Sequence, residues 1–330
     1  MKKILTTLVV TTALVTACKK DTTPPTTPTI TTSSLTNITT TSATAGGVIT
    51  SNGGTTITKS GIVWSKANNT PTTTDSILNS TSTSGSFTVN LTSLDFGNTY
   101  YIRAFATNSI GTSYGDPVTL NTTNDTSKVR FTYMGQTVIY GVITSPKTGK
   151  KWMDRNLGSS AVASSLTDTA GYGDLFQWGR LADGHQLRTS SKTSTISSTD
   201  VPGHSNWIIG VSDPNLDWRD PQNNNLWQGS TGINNPCPSG WHVPTKTEWQ
   251  AETGITDNNS AFSVLKVTLA GYRSEISGNV NAGSLGTAGY YWASTINGIQ
   301  AYSWILSSNV VNNAPVSDRA LGYSVRCIKD

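Results

Sequence analysis

The stretch Asn235-Pro236-Cys237-Pro238-Ser239-Gly240-Trp241-His242-Val243-Pro244-Thr245-Lys246-Thr247-Glu248-Trp249 decides how the second half of the chain is read. Two prolines and a glycine punctuate its first half and exclude a helix there, because proline lacks an N–H and biases its predecessor to extended geometry. From Pro244 the grammar changes. Thr245 is placed to cap a helix N-terminus, Glu248 follows three residues later as in a capping box, and Trp249 opens an apolar face. A short helix is expected from this point. Phe262, Leu265 and Leu269 continue at near-helical spacing, and short strands follow at 290–294, 301–307 and 322–327.

Working outward, other dense motifs flank this stretch. Upstream lie Thr148-Gly149-Lys150-Lys151-Trp152-Met153-Asp154-Arg155-Asn156-Leu157-Gly158 and Tyr172-Gly173-Asp174-Leu175-Phe176-Gln177-Trp178-Gly179-Arg180. Downstream lie Gly289-Tyr290-Tyr291-Trp292-Ala293-Ser294-Thr295 and Leu321-Gly322-Tyr323-Ser324-Val325-Arg326-Cys327-Ile328-Lys329-Asp330. In this order the motifs resemble the Fibrobacter succinogenes major paralogous domain over roughly residues 126–330. The resemblance implies an α+β, C-type-lectin-like fold, related to that of formylglycine-generating enzymes. It implies no particular activity.

The first half is different in kind. Short Thr/Val/Ile runs alternate with Gly and Asn turns: 45–49, 61–65, 85–91 and 99–108. In the last of these Tyr101, Arg103 and Phe105 fall on one face, with Tyr100, Ile102, Ala104 and Ala106 on the other. This spacing predicts an all-β sandwich over residues 29–125. Leu94-Asp95-Phe96-Gly97-Asn98-Thr99-Tyr100 resembles the tyrosine corner of fibronectin type III domains, which implies a Tyr100 hydroxyl returning to the backbone. No catalytic constellation accompanies it, so the expected role is a spacer.

Ahead of that domain, Lys2 and Lys3 precede an apolar stretch from Ile4 to Leu14. This is too short to span roughly 30 Å of bilayer at 1.5 Å per residue. It reads as a secretory signal over residues 1–17. Val15-Thr16-Ala17-Cys18 resembles a lipobox, which implies acylation of Cys18 and a membrane tether. Lys19-Lys20-Asp21 resembles the surface-export signals of Bacteroidota-type lipoproteins. The expectation is an outer-membrane lipoprotein exposed at the cell surface. The Thr/Pro run in residues 18–28 then acts as a semi-rigid linker.

Composition sets bounds on function. Charged residues make up 13% of the chain, there are ten tryptophans, and the formal charge is +4. Loss of Lys2 and Lys3 leaves +2, and no Lys/Arg stripe is present, so there is no case for nucleic acid as a partner. With Cys18 lipidated, Cys237 and Cys327 remain. A disulfide between them is expected outside the cytosol, with two buried free thiols as the alternative.

His185, His204 and His242 show no HxH, HExxH or CxxC context, which argues against a zinc site. His242 is read as a structural, hydrogen-bonded residue. No activated nucleophile or matched acid and base can be assembled, so the chain is not read as an enzyme. Asp213, Asp217 and Asp220 lie near Asn223, Asn224 and Asn225 in one polar loop. They are weak candidates for Ca²⁺, against the reading of a solvated Asn/Asp turn cluster.

Trp241, Trp249, Trp292 and Trp304 are read first as packing residues. Residues 284–320 nonetheless mix aromatics with small amides in the manner of adaptable contact surfaces. Tyr291, Trp292, Asn297, Gln300, Tyr302, Trp304, Asn309, Asn312 and Asn313 are therefore expected to face a ligand, an extracellular protein or a glycan. On that reading, joint substitution of Tyr302, Trp304 and Asn309 would abolish binding and leave the melting temperature nearly unchanged. The alternative role is a structural component of a surface layer or appendage.

Overall fold

The computed structural model describes residues 23–209, 217–252, 255–307, 310–312 and 315–330. Cys18 and the signal segment lie outside them. The chain divides into two compact units, with the boundary between Asp125 and Thr126.

The first unit is a β-sandwich. Thr29–Thr32, Ala43–Ser51 and Gly85–Leu91 form one antiparallel sheet. Ser76–Ser80, Lys59–Ser65, Thr99–Thr107 and Thr112–Tyr114 form the other, and Val118–Asn121 also pairs with Thr99–Thr107. Ile49, Phe87 and Leu91 from the first sheet share a core with Ile62, Tyr100, Ile102, Ala104 and Leu120 from the second. The sheets approach so closely at Gly47 that a Cβ there would strike Ala104. The inward set includes the Tyr100, Ile102, Ala104 and Ala106 face read from the alternation.

The tyrosine corner is present: the Asp95 backbone N–H donates to the Tyr100 hydroxyl at 2.8 Å. Tyr100→Phe orphans that amide while keeping the ring. The expected cost is about 0.5–1.5 kcal/mol, read as a lower urea midpoint for the sandwich transition, and an unchanged midpoint would contradict it. The linker is shorter than the composition suggests. Thr26 donates its N–H to Gly53 O at 2.9 Å, and the Asn108 amide donates to Thr26 O at 2.7 Å, so Thr26 already belongs to the sandwich.

The second unit is assembled from short pieces. Its main sheet runs in the order Trp241–His242, Ile328–Lys329, Lys151–Met153, Gln136–Thr144, Lys128–Tyr133, all antiparallel. The final strand therefore lies inside the sheet rather than at its edge. Cys327, just ahead of it, is bonded to Cys237, with Cα atoms 5.9 Å apart. A second sheet holds the long hairpin of Ala288–Asn297 and Gln300–Ser307, extended by Val310–Asn312 and Val316–Ser317.

Among the described residues there are two α-helices, Lys246–Ala251 and Asn258–Leu265. The first has the capping box expected at Thr245 and Glu248, and it buries Trp249. The second ends where Lys266 turns left-handed, which leaves Leu269 outside it. The strand expected over 322–327 is also interrupted. Gly322–Tyr323 pairs with Phe176–Gln177, and regular pairing resumes only at Ile328–Lys329.

Tryptophan holds these pieces together. Trp178 donates its indole N–H to Ala293 O at 2.9 Å, and Trp292 returns one to Phe176 O at 2.7 Å. Trp218 donates to Trp178 O, and Trp249 to Trp292 O. Each indole buries a large apolar area while satisfying a carbonyl that irregular backbone would otherwise leave open. Buried arginines do the same. Arg326 donates to Met153 O (2.8 Å), Lys266 O (3.0 Å) and Asn156 Oδ1 (3.2 Å), and burial lowers its pKa to about 10.

Candidate functional site

Three of the four aromatic residues expected at a ligand face are in the core. Tyr291 and Trp292 are fully buried and Trp304 is 1% exposed. The strand Ala288–Asn297 lies between two cores: Trp292 points into the one containing Phe176 and Tyr323, Tyr291 into the one containing Trp249 and Leu265. The Tyr291 hydroxyl donates to Thr268 O at 2.8 Å and accepts from Thr268 N–H at 2.7 Å. Trp304 stacks on Trp249, with centroids 4.6 Å apart and planes 6° from parallel. A strand covered on both faces reads as a continuous apolar run, and the aromatic run at 290–292 is one. These three residues have no surface to offer a ligand.

The remaining members of that set are scattered. Asn297 and Asn312 are exposed. Gln300 is engaged by Asp318 at 2.7 Å. Tyr302 is half-buried, with the Lys246 ammonium 3.9 Å from its ring centroid. Asn309 and Asn313 lie outside the described residues.

Of the polar loop's candidate carboxylates, Asp217 and Asp220 lie among the described residues. Asp217 is buried, with the Arg319 guanidinium 3.6 Å from its carboxylate. Burial pushes its carboxyl up to about 7 despite Arg319. The Arg319 guanidinium beside this carboxylate opposes a second cation there. Asp220 is exposed ahead of Pro221, and Asp213 lies outside the described residues. Among the described residues, no three His, Cys, Asp or Glu side chains converge as metal ligands.

Two of the three histidines, His185 and His242, are held in side-chain hydrogen-bond networks. His185 is fully buried, with Nδ1 2.7 Å from Asp183 Oδ1 and Nε2 accepting the Gln177 N–H. Burial, with the nearby Arg180 charge, lowers its pKa to about 3, so the ring is neutral. His242 bridges Glu248 (3.0 Å) and Asp330 (2.7 Å). Its pKa is raised because those two carboxylates outweigh its partial burial.

A cleft of about 340 Å³ collects several polar groups, at a place that no motif of the sequence marks as a site. It is lined by Gly158, Ser160, Thr169, Tyr172, Asp174 and Arg188, among others. Asp174 is 8% exposed and fixed from two sides. Its N–H bonds Leu157 O at 2.9 Å, and its Oδ2 accepts the Tyr133 hydroxyl at 2.7 Å. Gly158, at φ +80°, leaves room for it: a Cβ there would strike the carboxylate. Burial pushes the Asp174 carboxyl up to about 6, although the Tyr133 hydrogen bond and Arg188 oppose the shift.

Arg188 forms the other wall. Its Nε donates to Gly173 O at 2.8 Å and its Nη2 to Ala270 O at 3.0 Å, and the guanidinium lies over the Tyr172 ring. Asp174 and Arg188 influence each other's charge but form no ion pair. The cleft thus holds an acceptor and a donor, both oriented by the scaffold and both with capacity to spare. Gly158 and Gly173, placed in the motifs around Asn156 and Asp174, were the signal available in the sequence. Nothing local marked Arg188.

No family model matches the chain, and no curated protein matches it. Solved structures resemble part of it. The sensor domain of the anti-sigma factor RsgI4 from Pseudobacteroides cellulosolvens aligns at 16% identity and a TM-score of 0.24, covering 30% of this chain and 98% of that one. A longer form of that domain gives 17% and 0.22, covering 32% and 98%. A segment of titin gives 18% and 0.22, covering 30% and 32%. Likenesses of this extent carry no functional argument.

Proposed function

We propose that this chain is a surface-exposed outer-membrane lipoprotein, tethered through Cys18, whose second unit captures an extracellular glycan or protein. The sandwich, of fibronectin type III kind, serves as the spacer. The second unit is the recognition head and is of C-type-lectin-like kind. Its first and last strands meeting in one disulfide-closed sheet, with a loop-rich remainder, are consistent with that assignment.

The observation that carries the reading is the Asp174–Arg188 cleft. It presents fixed, partly unsatisfied polar groups on a rigid frame, as small-ligand sites do. Two measurements test the proposal. Cys18→Ser is expected to abolish incorporation of labelled palmitate and release the chain from the membrane fraction. The purified chain from residue 19 onward is expected to bind at least one class of neutral glycan on an array. Concentration-dependent self-assembly with no array binding would reject the proposal in favour of a structural role.

A further inference from the structure

We infer that His242 is a protonation-dependent latch on the main sheet. As an imidazolium it ties down the end of the final strand, Ile328–Lys329, and as a neutral ring it releases that end. This holds whatever the second unit binds. Nδ1 of the ring lies 2.7 Å from Asp330 Oδ1, and Nε2 lies 3.0 Å from Glu248 Oε2. An ionised carboxylate only accepts, so both ring nitrogens must donate, and only the doubly protonated ring has two N–H groups. A neutral ring has one, and its bare nitrogen would turn a lone pair toward a carboxylate.

The two carboxylates are not equally free to leave. Glu248 Oε2 also accepts the Thr245 N–H and the Thr245 hydroxyl, each at 2.9 Å, as part of the capping box of the helix Lys246–Ala251. Asp330 is the more exposed of the pair, at 43% against 19%, and its other side-chain partner is Ser230. A neutral His242 therefore keeps its proton on Nε2, facing Glu248, and Asp330 is the partner let go.

The place of the latch gives it reach. Ile328–Lys329 is two residues long, yet it joins Lys151–Met153 to Trp241–His242. It is pinned at both ends to one segment. Ahead of it Cys327 is bonded to Cys237; after it Asp330 meets His242 and donates its N–H to Gly240 O at 3.2 Å. One pin is covalent and the other depends on a single proton.

The charged groups facing the ring are Glu248 from the helix and Asp330 from beyond the strand, while Lys150, Lys151 and Lys329 line a cleft with Asp330. Partial burial lowers the His242 pKa, but hydrogen bonds to the two carboxylates and their charge outweigh it, so the ring stands above the ordinary value of about 6.5. Against its own burial, hydrogen bonds from His242 and Thr245 hold Glu248 down at about 2. A histidine raised in this way stabilises the fold fully below its unfolded value and loses that contribution as pH rises through its folded one. The latch is therefore closed in mildly acidic medium and opens on the alkaline side.

The test uses the chain from residue 19 onward with its disulfide intact. Nitrogen NMR of the imidazole, assigned by its loss in His242→Gln, is expected to show both nitrogens protonated at pH 6 and a titration above the ordinary histidine value. Hydrogen exchange of the peptide ending at Asp330, corrected for intrinsic rate, is expected to show severalfold less protection at pH 8.5 than at pH 6. Asp174 and Asp217 titrate near 6 and 7 in the same unit, so the change is read against a variant that retains both. Asp330→Asn alters an exposed side chain, and it is expected to lower the His242 pKa and shrink the exchange difference between the two pH values. A single ring proton at pH 6, a His242 pKa at or below about 6.5, or the same exchange difference in Asp330→Asn as in the parent chain overturns the inference.

Discussion

Trp304→Ala is expected to unfold the second unit under conditions where the parent chain is stable. The indole is 1% exposed, stacks on Trp249 and meets Tyr291 edge-on at 5.8 Å. Removing a buried tryptophan costs about 3–5 kcal/mol through lost transfer energy and the cavity left behind. Domains are stable by only about 5–15 kcal/mol, so this is a large fraction. The melting temperature should fall by on the order of 10 °C, and the near-ultraviolet signal of the Trp152–Trp249–Trp304 stack should collapse. This reverses the expectation that Trp304 could be removed with the melting temperature intact. A shift below about 2 °C, within what a surface substitution produces, would put Trp304 back at a surface.

Loss of the Cys237–Cys327 disulfide should have an effect of similar size by a different route. The cysteines are 90 residues apart in sequence, and in the chain-entropy model closing such a loop restricts the unfolded chain by about 4–5 kcal/mol. The folded state also depends on this corner: Cys327 is fully buried, and its carbonyl accepts the Met153 N–H at 3.0 Å. Cys237→Ser with Cys327→Ser, or reduction by dithiothreitol, is expected to lower the denaturant midpoint of the second unit and leave the sandwich transition in place. Equal midpoints with and without reductant would contradict it.

Local chemistry was legible in the sequence wherever one short segment determines the geometry. The Thr245–Glu248 capping box needs only four residues, and it forms as read. The Tyr100 corner depends on a backbone amide five residues away. The alternation in 99–107 places its inward face correctly because a sandwich strand has one core side.

Reading failed where a residue's environment comes from distant segments. Tyr291 and Trp292 alternate correctly, yet both faces of their strand are covered, and the covering elements come from residues 176 and 249. Asp217 looks like one acidic residue in a polar loop until Arg319, about a hundred residues on, is brought against it. The cleft has the same origin. Tyr133, Asp174 and Arg188 lie in three separate segments, and no spacing rule connects them.

The position of Ile328–Lys329 inside the main sheet has a consequence for the order of folding. Lys151–Met153 and Trp241–His242 flank a gap that only the last residues can fill. Until those residues are made, the three strands on one side and Trp241–His242 on the other keep open edges. A ribosome that stops early leaves a product that cannot close its central sheet and stays vulnerable to proteases. The sheet therefore closes only when Ile328–Lys329 reach strands made far earlier in the chain.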